Sequence, residues 1–303
     1  MEDKTLVALN DVQEAYRIGL GYSALDSLAD YRAGNCYLVS GYEKSGKSSF
    51  LLGAVIEWLK NYKIAFFNTE LSDSEFLTAL TAISHDITKD EAEKRKDLLE
   101  LCNTLYSENL IYSGVNQLAK DNKFEFEETL RRAKEHKEKG AKIFVFDNLT
   151  TYSLHASGEK KGWEILAACV SKIISFTKEN QVISFVVVHT KPSTVFNETP
   201  TGIKHLIEEG QAEKVFEKSV AVIRKPSGAD IFGGGGMRSQ LSGTILIWRP
   251  FQMFQQSNEL QNLTEIILEN FRHSKGGSAR YIFDGAKGKF VEDSIQETLA
   301  NNK

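Results

Sequence analysis

Residues 41–48 read Gly-Tyr-Glu-Lys-Ser-Gly-Lys-Ser, the pattern G-x-x-x-x-G-K-[ST], and no other stretch narrows the possible folds as far. The pattern works only between a buried strand and the first turn of a helix, where backbone N–H groups converge on an anion. Both neighbours are present: the apolar run Tyr37-Leu-Val-Ser comes before it and an apolar helical segment over 50–59 after it. Gly41 and Gly46 let the loop curl, and the backbone of Glu43, Lys44 and Ser45 lines the curl. Lys47 supplies the positive charge for β- and γ-phosphate oxygens. Ser48 offers a hydroxyl to Mg²⁺, while Ser49 packs or caps the helix. ATP or another nucleoside triphosphate, with Mg²⁺, is the expected ligand.

The rest of the chain suits such a loop. Short β-branched or aromatic runs at 36–40, 63–68, 142–146, 184–188 and 244–248 alternate with longer amphipathic segments, which predicts βαβ units and a mostly parallel sheet. The runs are nearly continuous in apolar residues, as strands covered on both faces require. Helical spacing is read at 74–83, 89–102 and 124–137, and the Lys/Glu-rich face around Lys134 to Lys139 is expected to be solvated. Pro192, Pro200, Pro226 and the run Gly233 to Gly236 mark a long excursion, with a helical piece at 203–216. The segments 264–271, 280–284 and 289–292 read as antiparallel strands joined through glycines. The expected fold class is therefore α/β, a parallel sheet flanked by helices with a C-terminal antiparallel hairpin region. Residues 1–18 are taken as an arm, 19–293 as the domain and 294–303 as a tail.

Two further carboxylates sit where a triphosphate site needs them. Asp147 ends the run Ile143-Phe-Val-Phe-Asp and is placed to hold the metal shell, or else is a turn aspartate at a strand end. Glu70 ends Phe66-Phe-Asn-Thr-Glu and is aimed into the same crevice as a base for water, or else caps the helix that follows.

Composition excludes several classes. With 41% hydrophobic and 26% charged residues and a net charge of −4, the chain is neither disordered nor globally attracted to nucleic acid, so any such partner needs a local basic surface. Cys36, Cys102 and Cys169 lack metal-site spacing and read as buried thiols. No apolar run is long enough for a membrane span and no leader is visible, so a cytoplasmic location is expected, a host's if the chain is phage-encoded.

Taken together, the motifs resemble those of the RecA-like ring replicative helicases of the DnaB, Twinkle and phage primase-helicase group, over residues 19 to about 290. Gly19-Leu-Gly-Tyr-Ser-Ala-Leu-Asp26 followed by Arg32-Ala-Gly34 is similar to the family's opening segment, and Phe67-Asn-Thr-Glu70-Leu-Ser72 to its "L-E-M-S". Val188-His189-Thr-Lys191-Pro192 resembles the segment whose histidine senses the γ-phosphate. The stretch from Gly233 to Gly243 resembles "G-S-x-x-x-x-Q-x-[AS]-D", with Gly243 where aspartate is usual. Asn270-Phe-Arg272 through Gly277, then Phe283, is similar to "K-x-R-x-G-x-x-G … F", with Asn270 replacing the cation.

The resemblance implies Glu70 as catalytic base and Arg272 as an arginine finger completing the neighbouring subunit's site, with Phe283 stacking on the nucleotide base. It implies a homo-hexameric ring on single-stranded DNA, contacted through Lys191, Lys204 and Arg238, with a primase or helicase loader as a further partner in phage- or plasmid-type replication. A RecA- or clock-type ATPase, or an ATP-binding loader that does not unwind, would share residues 41–48, Glu70 and Asp147.

Overall fold

The computed structural model describes residues 16–120, 123–154, 162–190, 225–231, 239–252 and 261–292. The elements run β1 (Arg17–Ile18), α1 (Ser23–Asp26), β2 (Tyr31–Arg32), β3 (Cys36–Gly41), α2 (Lys47–Trp58), β4 (Ile64–Asn68), α3 (Asp73–His85), α4 (Lys89–Lys94), α5 (Lys96–Tyr106) and β5 (Leu110–Ser113). They continue with α6 (Val115–Leu118), β6 (Ala119–Lys120), β7 (Lys123–Phe124), α7 (Phe126–Glu138), β8 (Ile143–Asp147), α8 (Thr150–Leu154), α9 (Gly162–Asn180) and β9 (Ile183–His189). The last strands are β10 (Gly243–Trp248), β11 (Leu263–Glu269), β12 (Gly277–Asp284) and β13 (Lys289–Glu292).

Nine strands form one sheet in the order β13-β12-β11-β10-β3-β9-β8-β4-β5. From β10 to β5 every pairing is parallel, and β11, β12 and β13 add antiparallel strands at one side. Alternation along each strand divides the core between the two faces. Tyr37 and Val39 of β3 join Phe50, Val55, Trp58 and Phe76 under α2 and α3, while Cys36 and Leu38 join Ala133, Val170 and Ile173 under α7 and α9. The expected fold class is met.

Local chemistry sets the helix boundaries. Ser72 caps α3 and Thr88 caps α4, each in a reciprocal capping box with the glutamate three residues on, Glu75 and Glu91. The cap of α3 is thus Ser72, so Glu70 is free of the alternative capping role. The single helix expected over 89–102 is two, because Arg95 leaves helical geometry at φ −97 and ψ 76, with its guanidinium forked onto Asp97 at 2.9 and 2.7 Å. Strand β5 and the 19-residue α9 are additional to the sequence expectations.

Candidate functional site

Parallel strands present their C-terminal ends at one edge of the sheet, and register decides which residues meet there. Gly41 pairs with His189, and Asn68 pairs with Asp147, so the phosphate-type loop, both carboxylates and the histidine share that edge.

The loop itself is tightly constrained. A Cβ on Gly41 would lie 2.5 Å from the Ile247 carbonyl, and one on Gly46, at φ +95, would lie 2.7 Å from Phe290 Cζ. Neither position accepts a side chain. Lys47 opens α2, is 6% exposed, and donates to the Gly41 and Tyr42 carbonyls at 3.2 and 2.8 Å. Burial pulls its ammonium down to about 8, against the opposing fields of Asp147, Glu70 and Glu43. Ser49 faces the Gly288 turn of the terminal hairpin.

Asp147 is buried, and burial raises its carboxyl to about 6, offset in part by a hydrogen bond from the Ser48 hydroxyl. Its Oδ1 has no hydrogen-bond partner among the described residues. An unpaired buried carboxylate oxygen beside a serine hydroxyl is a donor set suited to a hard cation such as Mg²⁺. The two residues fit the ion that the sequence implies.

Glu70 lies just beyond β4. Its Oε1 accepts from the Asn148 carboxamide and stands 3.0 Å from His189 Nε2. These partners, the histidine first, hold the Glu70 carboxyl below its ordinary range despite partial burial. Asn148 is fixed in turn: its Oδ1 accepts from the Thr151 N–H at 3.1 Å, which turns Nδ2 toward Glu70 and His189, the latter at 2.9 Å. The structure thus groups Lys47, Ser48, Glu70, Asp147 and His189, and adds Asn148, which the sequence expectations lack.

Arg249, also absent from those expectations, follows β10. Its guanidinium donates to the Lys44 carbonyl at 3.1 Å and to the Gln261 carbonyl at 2.9 Å, and lies 4.6 Å from the centroid of the Phe283 ring. Gln252 donates to the Glu43 carbonyl at 3.1 Å. Phe283 is buried between Arg249, Phe290 and Gly46, next to the loop. No sequence signal links Arg249 to Phe283, because only the fold brings the cation over the ring.

Arg272 is not part of this group. It is exposed, follows β11, and its N–H donates to the Ser242 carbonyl at 3.0 Å, while the Ser242 N–H donates to the Cys36 carbonyl at 2.9 Å. Cys36 starts β3 and Gly41 ends it, so Arg272 stands at the opposite edge of the sheet from Lys47, roughly 16 Å of strand away. Lys191, Lys204, Arg238 and the run Gly233 to Gly236 lie outside the described residues.

Both departures from the helicase pattern have local reasons. A Cβ on Gly243 would meet three ring atoms of Phe271 at 2.9 Å. Asn270 adopts φ +55, a left-handed conformation that asparagine tolerates better than most residues.

Among the described residues no helix is long and apolar enough to cross a membrane, no group of three or more His, Cys, Asp or Glu side chains could hold a metal ion, and all three cysteines are buried.

By sequence, no family model and no curated protein matches the chain. By structure it is similar to a solved ATPase domain, at TM-score 0.67 and 15% identity, over 91% of this chain and 91% of that one. It is also similar to a DnaB-like replicative helicase whose structure was described with its interactions with primase, at TM-score 0.69 and 16% identity. That match covers 90% of this chain, which spans only 61% of the larger protein. A KaiC-like protein from the hyperthermophilic archaeon Pyrococcus horikoshii matches at TM-score 0.56 and 12% identity, over 92% of this chain and 99% of that one. The likeness at these identities is one of fold: the chain shares the RecA-like α/β fold of these proteins, a mostly parallel sheet flanked by helices.

Proposed function

We propose that this chain is the motor of a ring-forming, ATP-driven DNA helicase that hydrolyses nucleoside triphosphate between subunits and moves along single-stranded DNA. The observation that carries the reading is the separation of Arg272 from its own Lys47. A cation exposed at the far edge of the sheet can complete a phosphate site only on another molecule, through a head-to-tail contact that builds a ring where the rotation between subunits closes and a filament where it does not.

In this reading the loop from Gly41 to Ser48 binds the triphosphate, with Lys47 exchanging the Gly41 and Tyr42 carbonyls for phosphate oxygens. Mg²⁺ bound by Ser48 and Asp147 would neutralise charge on the β- and γ-phosphates. Glu70 orients water and takes its proton, His189 stands at the γ-phosphate, and Arg272 of the adjacent subunit stabilises the charge that develops there. Phe283 lies beside the nucleotide, and Lys191, Lys204 and Arg238 track the DNA backbone. Residues 19–293 form the motor, the ring is a homo-hexamer, and a primase or helicase loader joins it at a replication fork in the cytoplasm.

ATP hydrolysis stimulated by single-stranded DNA, measured beside unwinding of a forked duplex, tests the reading. Both activities are expected. Hydrolysis without unwinding favours a RecA- or clock-type ATPase or a loader, in keeping with the KaiC-like fold match, and absence of both defeats the proposal.

A further inference from the structure

The loop that carries Glu70 is folded around one side chain. Asn68, 1% exposed at the end of β4, accepts on Oδ1 from the N–H groups of Glu70 and Leu71 at 3.1 and 3.0 Å. Its Nδ2 donates to the Leu71 carbonyl at 2.6 Å and to the Tyr112 hydroxyl at 2.8 Å. Both donors and both lone pairs of the carboxamide are thereby used.

Tyr112 belongs to β5, beside β4. Its hydroxyl also lies 3.1 Å from Asp73 Oδ1, at the start of α3. The Tyr112 hydroxyl donates to Asp73 Oδ1, so its oxygen is left to accept from Asn68. Asp73 orients Tyr112, and Tyr112 joins the Leu71 carbonyl in holding Nδ2 of Asn68, with Oδ1 facing the Glu70 and Leu71 amides. On its other side Tyr112 borders a cavity of about 230 Å³ lined also by Phe76, Leu80, Cys102 and Tyr106.

We propose that Asn68 and Tyr112 are positioning residues for Glu70. The Tyr112 hydroxyl, together with the Leu71 carbonyl, holds the orientation of the Asn68 carboxamide, and the carboxamide shapes the turn from which the Glu70 carboxylate reaches Asn148 and His189. This inference rests on the proposed role of Glu70 in hydrolysis.

Tyr112→Phe tests it in the full chain, because the ring and its packing on Phe76, with centroids 4.3 Å apart, are kept and only the hydroxyl is removed. Amide hydrogen exchange, which needs no turnover, should show Glu70 and Leu71 exchanging about tenfold faster. Steady-state kinetics should show kcat for ATP reduced about tenfold with KM within about twofold, since positioning of the base acts on the transition state and not on nucleotide binding. In a Glu70→Gln background the same change should have no further effect on kcat, whereas a merely structural role would add its loss there and lower the melting temperature. Unchanged amide exchange, an active wild type with unchanged kcat in Tyr112→Phe, or an additive loss in the Glu70→Gln background would each overturn the inference. A wild-type chain without hydrolysis would overturn the proposed function instead.

Discussion

Nε2 of His189 lies 3.0 Å from Oε1 of Glu70, so the last residue of β9 and the loop after β4 meet across the intervening strand β8. The histidine is the first cause of the low Glu70 pKa, which falls below the ordinary 4.5. A depressed carboxyl is ionised, and so competent as a base, at every pH above the ordinary value. Wild-type kcat should therefore show no fall due to Glu70 down to about pH 5. His189→Ala removes the main stabiliser of the carboxylate, so the acidic limb of the pH–kcat profile should move upward and kcat at neutral pH should drop about tenfold or more. A limb that stays in place in the variant would separate His189 from Glu70 function.

Asp147 shifts the other way, and the sign has two consequences. Its folded pKa of about 6 exceeds the ordinary 3.8 because of burial, so between about pH 4 and pH 6 the folded chain holds a proton that the unfolded chain has lost. Without metal, stability falls as pH rises through that window. Asp147→Asn should stabilise the metal-free protein at pH 7 by on the order of 2 kcal/mol while abolishing Mg²⁺-dependent hydrolysis. Urea unfolding in chelator measures the first effect, and a destabilised variant would contradict it. Mg²⁺ affinity in the wild type should weaken as pH drops below about 6, where the ion must displace a proton.

What was legible in the sequence follows the physics of parallel sheets. The runs ending at Gly41, Asp147 and His189 are almost entirely buried and read as nearly continuous apolar segments. Because parallel strands end at one edge, finding the runs also brought the candidate residues at their ends together. Asn148 and Arg249 could not be found this way. Asn148 acts on Glu70, 78 residues earlier, and Arg249 reaches Lys44, 205 residues earlier, through pairings that only the strand order creates. Strand β5 at the sheet edge is mostly half-buried and carries a weak pattern. Helix α9 is a different matter, since Leu166, Cys169, Val170, Ile173 and Ile174 repeat at helical spacing and are buried.

The glycine at 243 is coupled to Phe271. A side chain there would be forced into the Phe271 ring, which stacks on Tyr37 with centroids 5.6 Å apart. Gly243→Asp, which restores the residue usual in the helicase pattern, should destabilise the chain by about 3 kcal/mol or more, through overpacking and an unpaired buried carboxylate. Combining it with Phe271→Ala should cost less than the sum of the two single changes, measured by chemical denaturation. Simple additivity would refute the coupling.

Arg249 should act on nucleotide binding more than on turnover. Lys has the charge but neither the planar stack on Phe283 nor the fork that reaches both the Lys44 and Gln261 carbonyls. Arg249→Lys should weaken triphosphate affinity by about tenfold, corresponding to one or two lost charge-assisted hydrogen bonds, and leave kcat at saturation largely intact. Titration with a fluorescent nucleotide reads this directly, and an unchanged affinity would remove Arg249 from the site.

Arg272 and Lys47 stand at opposite edges of one sheet, since β11 runs antiparallel to β10 and carries its end back toward Cys36. A rigid strand cannot fold the arginine back onto its own phosphate loop, so if both residues serve hydrolysis they do so in different sites. Lys47→Ala and Arg272→Ala should each abolish DNA-stimulated hydrolysis when alone. Mixed, they should recover part of it, because the intact loop of an Arg272→Ala subunit can meet the intact arginine of a Lys47→Ala neighbour at about a quarter of randomly formed interfaces. Recovery should require mixing under conditions that allow subunit exchange and should vanish when either variant is covalently closed into a ring before mixing. If exchanged mixtures stay inactive, Arg272 is not a finger acting between subunits, and the ring loses its main structural support.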